Sequence, residues 1–238
     1  MRAMPCRATF RADRDRVNSA WDDVLEYLRL LQERDVLRAT DHLDEAIDRD
    51  GIGAISDALA DVCRSLMDQI HFAPGTIDVH TVVDDIAMRI VATSRDTRRN
   101  ALDRQRSLIV FLGSEGLPCM ARDDVASWSA DDRLHDLIAC TIGLMAMVGD
   151  KVLVLDPPGP LRPAEGTFTL AWRGPNGPEP FAGAMPRGYT AHITFVGTAS
   201  CSLRSVFGRV ATLRQVDTTA RAAGPRFNAR PSAPRRSS

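Results

Sequence analysis

The chain has 238 residues, 44% hydrophobic and 26% charged, with a formal net charge of −1. That apolar share excludes a globally disordered chain, and the length suffices for one large domain or two small ones with a proper core. The small net charge hides an asymmetry. Residues 1–150 carry 18 Lys+Arg against 27 Asp+Glu, net −9, and residues 151–238 carry 12 against 4, net +8. An acidic half joined to a basic half predicts mutual docking, or an acidic partner for the basic end. Every basic residue except Lys151 is arginine, as a GC-rich genome would give.

In chain order, residues 1–13 read as a flexible arm. From Arg14 to Arg34, Val17, Trp21, Val24, Leu25, Leu28 and Leu31 recur at helical spacing, opposite Asp22, Glu26, Arg29 and Glu33. A short helix follows over Asp41–Arg49, with Thr40 or Asp41 as its cap and Gly51 and Gly53 breaking it. A third helix over Ile52–His71 carries the stripe Ile55, Leu59, Val62, Leu66 and Ile70. Pro74-Gly75 reads as a turn, and a fourth helix starts near Thr76 or Asp78 with Val79, Val82, Val83, Ile86 and Ile90 inward. Ser94–Arg106 is polar and reads as a solvated helix or connection. The apolar run Ser107–Leu112 precedes Gly113-Ser114-Glu115-Gly116, and those turn residues favour a strand.

The central stretch is Ala130–Leu155. Ser129 is placed to cap a helix with Asp132 at its third position, a near-version of the capping box. Leu134, Leu137, Ile138, Ile142, Met145 and Val148 form one face, and the other faces are nearly as apolar, so burial on most sides is expected. Gly149-Asp150 ends the helix and Lys151–Leu155 reads as a buried strand. Thr167–Trp172 and Tyr189–Val196 alternate as half-buried strands do, with Asn176-Gly177 a turn between them. Leu203, Val206, Phe207, Val210 and Leu213 fit a last helix. The pattern predicts an α+β fold in four parts. They are the arm, an acidic helical bundle over 14–106, a mixed α/β region over 107–216 around the buried helix, and a disordered Arg/Pro/Ser-rich tail over 217–238.

The cysteines Cys6, Cys63, Cys119, Cys140 and Cys201 are odd in number and contain no C-x-x-C, so neither a zinc knuckle nor a dithiol redox motif is signalled. Free thiols on apolar helix faces fit a reducing compartment. The N-terminus MRAMPCRATFRADRDR lacks a secretory apolar region, and Leu137–Val148 is too short to span a bilayer. A soluble, cytoplasmic or otherwise intracellular protein is expected.

Four places offer chemistry. Asp41, Asp44, Glu45 and Asp48 share a helix face, as do Asp57 and Asp61. If Asp41, Asp44, Asp57 and Asp61 meet, they supply oxygen ligands for Mg²⁺; otherwise they are solvated faces of amphipathic helices. Over roughly residues 38–95 this arrangement resembles the all-α nucleotide pyrophosphohydrolases of the MazG type. Those carry an acidic pair at i, i+3 on one helix and E-x-x-D on the next. Asp41-x-x-Asp44 matches the first pair and Gly75-Thr76-Ile77-Asp78 the following turn, but Ala58 stands where the second pair needs glutamate. The resemblance implies Mg²⁺-dependent nucleotide hydrolysis.

His135-Asp136 is similar to the metal-binding dipeptide of HD-type phosphohydrolases, with His71 or His80 and a later Asp such as Asp150 as further ligands; the alternative is an exposed pair in the first turns of a helix. His192-Ile193-Thr194 has one copy of a two-histidine phosphoesterase motif and otherwise forms a polar strand face. Gly113-Ser114-Glu115-Gly116 lacks the Lys-Ser/Thr of a P-loop. Finally, Arg204, Arg209, Arg214, Arg221, Arg226, Arg230, Arg235 and Arg236 face one acid, Asp217. Arg221, Arg226, Arg230, Arg235 and Arg236 would hold nucleic acid through phosphate contacts, or an acidic protein surface. Only Phe227 offers stacking there. No catalytic set is complete, so a regulatory or scaffolding role through protein–protein contact is the leading expectation. The Mg²⁺-dependent hydrolase comes second and nucleic-acid binding third. Homo-oligomers fit any of the three.

Overall fold

A computed structural model describes residues 7–114, 125–149, 155–174, 177–180 and 190–210. Six long helices come first: α1 (Arg7–Gln32), α2 (Val36–Asp50), α3 (Ile52–Gln69), α4 (Val79–Ser94), α5 (Ala101–Gly113) and α6 (Ala130–Val148). Short strands β1 (His71–Phe72) and β2 (Gly75–Asp78) lie between α3 and α4. Later come β3 (Gly166–Gly174), β4 (Gly177–Pro180), β5 (Thr190–Gly197) and β6 (Cys201–Ser202), and residues 203–210 are helical (α7). The expected α+β class holds: a mainly helical first part, then small antiparallel sheets and one helix.

Two antiparallel sheets tie the halves together. One has the order β2-β5-β3-β4, and in the other β1 pairs with β6. The first sheet puts Asp78 opposite Thr194 and Thr194 opposite Thr169. Pro178 and Pro180 sit in its edge strand β4, where a missing N–H costs no ladder bond. The buried side chains form a single hydrophobic cluster from Ala20 to Val210. No helix among the described residues is long and apolar enough to cross a membrane.

At the centre, α6 starts and stops where its signals say. The Asp132 N–H donates to Ser129 Oγ at 3.1 Å, and Gly149, at φ 80°, donates its N–H to Met145 O. Such a cap stabilises a helix by about 1 kcal/mol. The buried face differs from the expected stripe. It runs through Asp136, Leu137, Cys140, Thr141 and Leu144, while Leu134, Ile138, Ile142, Met145 and Val148 are half-buried and Ala146 is exposed. The expectation counted apolar residues, whereas the neighbours select small ones. Cys63 of α3 lies 3.1 Å from Thr141 Oγ1. Gly143 lets α4 close in, since a Cβ there would meet Ile90 Cα at 2.7 Å. Contact with Cys63, together with burial, raises the Cys140 thiol well above its usual range.

Several boundaries move. α1 already begins at Arg7, so residues 7–13 of the expected arm are helical. α2 starts at Val36 rather than Asp41, because Asp35 caps it, accepting from the Arg38 N–H. Residues 75–78 form strand β2 before α4, with Asp78 as the helix cap. Ser107–Leu112 is not a strand but the second half of α5, which runs through the boundary expected at 106/107. A short apolar run gave the same periodicity signal for both states, and the polar first half of the helix concealed its length. Residues 151–154 of the expected strand, Asn176 of the expected turn and the tail beyond 210 lie outside the described residues, Gly177 opens β4, and Leu155 is irregular.

Candidate functional site

The most deeply buried charge is Asp136, fully buried near the start of α6. Arg98, from the link between α4 and α5, donates to its Oδ1, and Arg104 Nε donates to Oδ2 at 2.6 Å. Gln105 Nε2 donates to its backbone oxygen at 3.1 Å. Arg98 also forks onto Asp96, at 3.1 and 2.6 Å, and Arg104 lies over the Trp128 ring, 3.9 Å from its centroid. The Arg98 hydrogen bond holds the Asp96 carboxyl below its ordinary value, and the Asp96 bond raises the Arg98 guanidinium further. The Ser94–Arg106 segment is therefore not merely solvated: it carries the cations that neutralise a buried carboxylate.

This corrects both readings of His135-Asp136. Asp136 is neither an exposed helix-start residue nor a free ligand, because two arginines occupy its oxygens. His135 is largely exposed, 3.7 Å from Asp96. His71 lies on β1 and His80 on α4, both exposed, and Asp150 is outside the described residues.

The four carboxylates Asp41, Asp44, Asp57 and Asp61 are not gathered. Among the described residues no three His, Cys, Asp or Glu side chains form a metal-binding group. The reason is the register of α2. Ala39, Leu43 and Ala46 face inward, so Asp41, Asp44, Glu45 and Asp48 face solvent. Asp57 is exposed, and Asp61 accepts from Arg64 Nη1 at 2.6 Å. At the tip of the same helix, Val36 and Leu37 are 59% and 81% exposed.

His192 lies 3.7 Å from Asp78. Burial pushes the Asp78 carboxyl up, but hydrogen bonds from Thr81 Oγ1 and the His80 N–H, with the nearby His192, bring it below its ordinary value. The group is a helix cap tied to a strand, with no second His-x-Thr copy beside it. Gly113-Ser114 closes α5, where Ser114 Oγ donates back to Val110 O at 2.7 Å; residues 115 and 116 of the candidate turn lie outside the described residues.

A polar cleft of about 600 Å³ opens where the end of α3, the 159–165 segment and the start of α7 meet. A neighbouring lobe of about 390 Å³ shares Gly159, Pro160 and Arg204 with it. Its floor is Arg204, 4% exposed, which donates through Nη1 to Asp68 Oδ2 at 2.9 Å and to Gly159 O at 3.0 Å. Ser202 Oγ donates to Asp68 Oδ1 and accepts the Ser205 N–H, capping α7. Ser65 Oγ donates to Asp156 O and anchors the proline-rich segment on α3. The sequence singles out Asp61, His71 and Arg204 of this cleft, each for a different reason, and does not bring them together. Asp61 and Arg64 are a local i, i+3 pair and were legible; the pairing of Asp68 with Arg204 spans 136 positions and was not.

Arg209 lies on α7, and Arg214, Arg221, Arg226, Arg230, Arg235 and Arg236 lie outside the described residues. The chain matches no protein-family model, and neither a curated protein nor a solved structure is similar to it.

Proposed function

We propose that the protein is an intracellular regulatory or scaffolding protein that works by protein–protein contact through the outer face of α2. The observation that carries this is the exposure of two adjacent large apolar residues, Val36 and Leu37, on an ordered helix. A lone exposed Leu needs no explanation, but an apolar pair rimmed by charge has the make-up of a contact centre. Arg34 and Arg38 flank the pair, and the exposed face beyond it is acidic, with Asp41, Asp44, Glu45 and Asp48. The fitting partner is a protein with an apolar socket edged by arginine or lysine, steered by charge and held by the apolar pair.

The test places a photo-crosslinking residue at position 37 of the full chain in host cells, with exposed position 69 as the control. Discrete adducts at 37, absent at 69 and lost on Val36→Asp, are expected. The same adduct pattern at both positions would overturn the reading.

A further inference from the structure

The outer stripe of α2 carries negative charge that the fold leaves unmet. Leu37, Asp41, Asp44, Glu45 and Asp48 recur at helical spacing and are all exposed, with Val36 beside Leu37 at the head of the stripe. The cations on this helix are engaged elsewhere: Arg38 pairs with Asp35, and Arg49 with Asp23 and Asp50. Arg34 precedes the helix, at the apolar end. Among the described residues no cation pairs with any of the four carboxylates. The chain beyond Val210 has the opposite make-up. From residue 218 on it holds five arginines, no acid and one large apolar residue, Phe227, set between Arg226 and Arg230. An apolar residue flanked by cations complements an apolar pair that leads into carboxylates. The spacing agrees. Extended at about 3.1 Å per residue, the run from Phe227 to Arg230 covers about 9 Å. Along the helix, Leu37 to Asp41 is about 6 Å and Leu37 to Glu45 about 12 Å. The stretch from 210 to 227 reaches up to about 55 Å, more than the roughly 40 Å width of a compact domain of this size. Held on one chain, such a segment meets the stripe at an effective concentration on the order of millimolar, so weak contacts suffice.

Taking α2 as the contact face, a reading on which this one rests, we propose that residues 226–236 of the same chain dock on its stripe. Phe227 covers Val36 and Leu37, the arginines meet the carboxylates, and the segment withholds the face from a partner until it is displaced. The test uses the purified full chain with a photo-crosslinking residue at exposed position 40, one turn from both Leu37 and Asp44. Irradiated at low concentration, position 40 should link to residues 221–236 of the same chain, as mapped by mass spectrometry. Arg226→Glu, Arg230→Glu, Arg235→Glu and Arg236→Glu together should lower that yield about tenfold or more, since surface pairs are weak singly and add up over four. Sodium chloride at about 1 M should lower it likewise. The same crosslinker at position 88, exposed on α4, should give no such link. In cells, the four substitutions should raise partner adducts at position 37 several-fold. No intrachain link from position 40, an equal yield in the substituted chain, or the same link from position 88 overturns the proposal. Links that form only between chains make a second copy the occupant and overturn it too. Partner adducts at 37 without the intrachain link leave the contact reading standing alone, whereas the intrachain link without partner adducts overturns that reading and leaves the tail contact in place.

Discussion

Arginine and aspartate build two unlike places in this molecule. Around Asp136 the carboxylate is fully buried, and each of its oxygens takes a guanidinium. In the cleft, Asp61 and Arg64 are 42% and 19% exposed and meet through one hydrogen bond. The difference lies in water and in partner count, not in residue type. Where water is excluded, the carboxylate takes two guanidinium partners, although Arg104 Nη2 and Gln105 Oε1 beside it keep no partner among the described residues. Where water enters, solvent screens a half-exposed ion pair and leaves it little net strength.

The largest expected effect lies in the buried joint. Asp136→Ala strands Arg98 and Arg104 without their shared carboxylate, and removal of one member of such a buried network costs about 3–5 kcal/mol. Urea denaturation should show that loss as a lower midpoint. A loss no greater than that of a surface substitution would break the contrast between the two regions.

A smaller effect is expected in acid. The Asp96 and Asp78 carboxyls sit below their ordinary value in the folded chain. A depressed carboxyl stabilises the fold above its unfolded value, and that contribution is lost as pH falls through the folded value. Thermal melts should therefore hold level on this account above about pH 4 and fall progressively below it. Asp96→Asn should flatten part of the fall; an unchanged acid limb would show that the Arg98 fork contributes nothing.

Much of this architecture was legible in the sequence, and the reasons are local. Ser129 and Gly149 bound α6 because capping and left-handed termination act over a few residues. The alternation of Phe168 and Leu170 gave β3, and Ile193 and Phe195 gave β5; Phe168 and Phe195 now stack with ring centroids 4.7 Å apart. The α5 helix was not legible, since Ser107–Leu112 is too short to choose its own state. Nor was the buried face of α6, which follows Cys63 and Ile90 on neighbouring helices rather than its own hydrophobicity. The site was legible least of all. Asp136 looked like half of a metal motif, and only folding brings Arg98 and Arg104 to it across 38 and 32 positions. The acidic runs on α2 did carry a readable signal, but it reported a solvated face.

The most direct measurement is a pair of double-mutant cycles by urea denaturation, one on Asp136 and Arg104, the other on Asp61 and Arg64. The account predicts a coupling of about 1.5–3 kcal/mol for the first pair, as for a charge-assisted bond away from water, and below about 1 kcal/mol for the second. Equal couplings, or a larger one in the cleft, would contradict the division of this molecule into a closed charge centre and a solvent-screened ion pair.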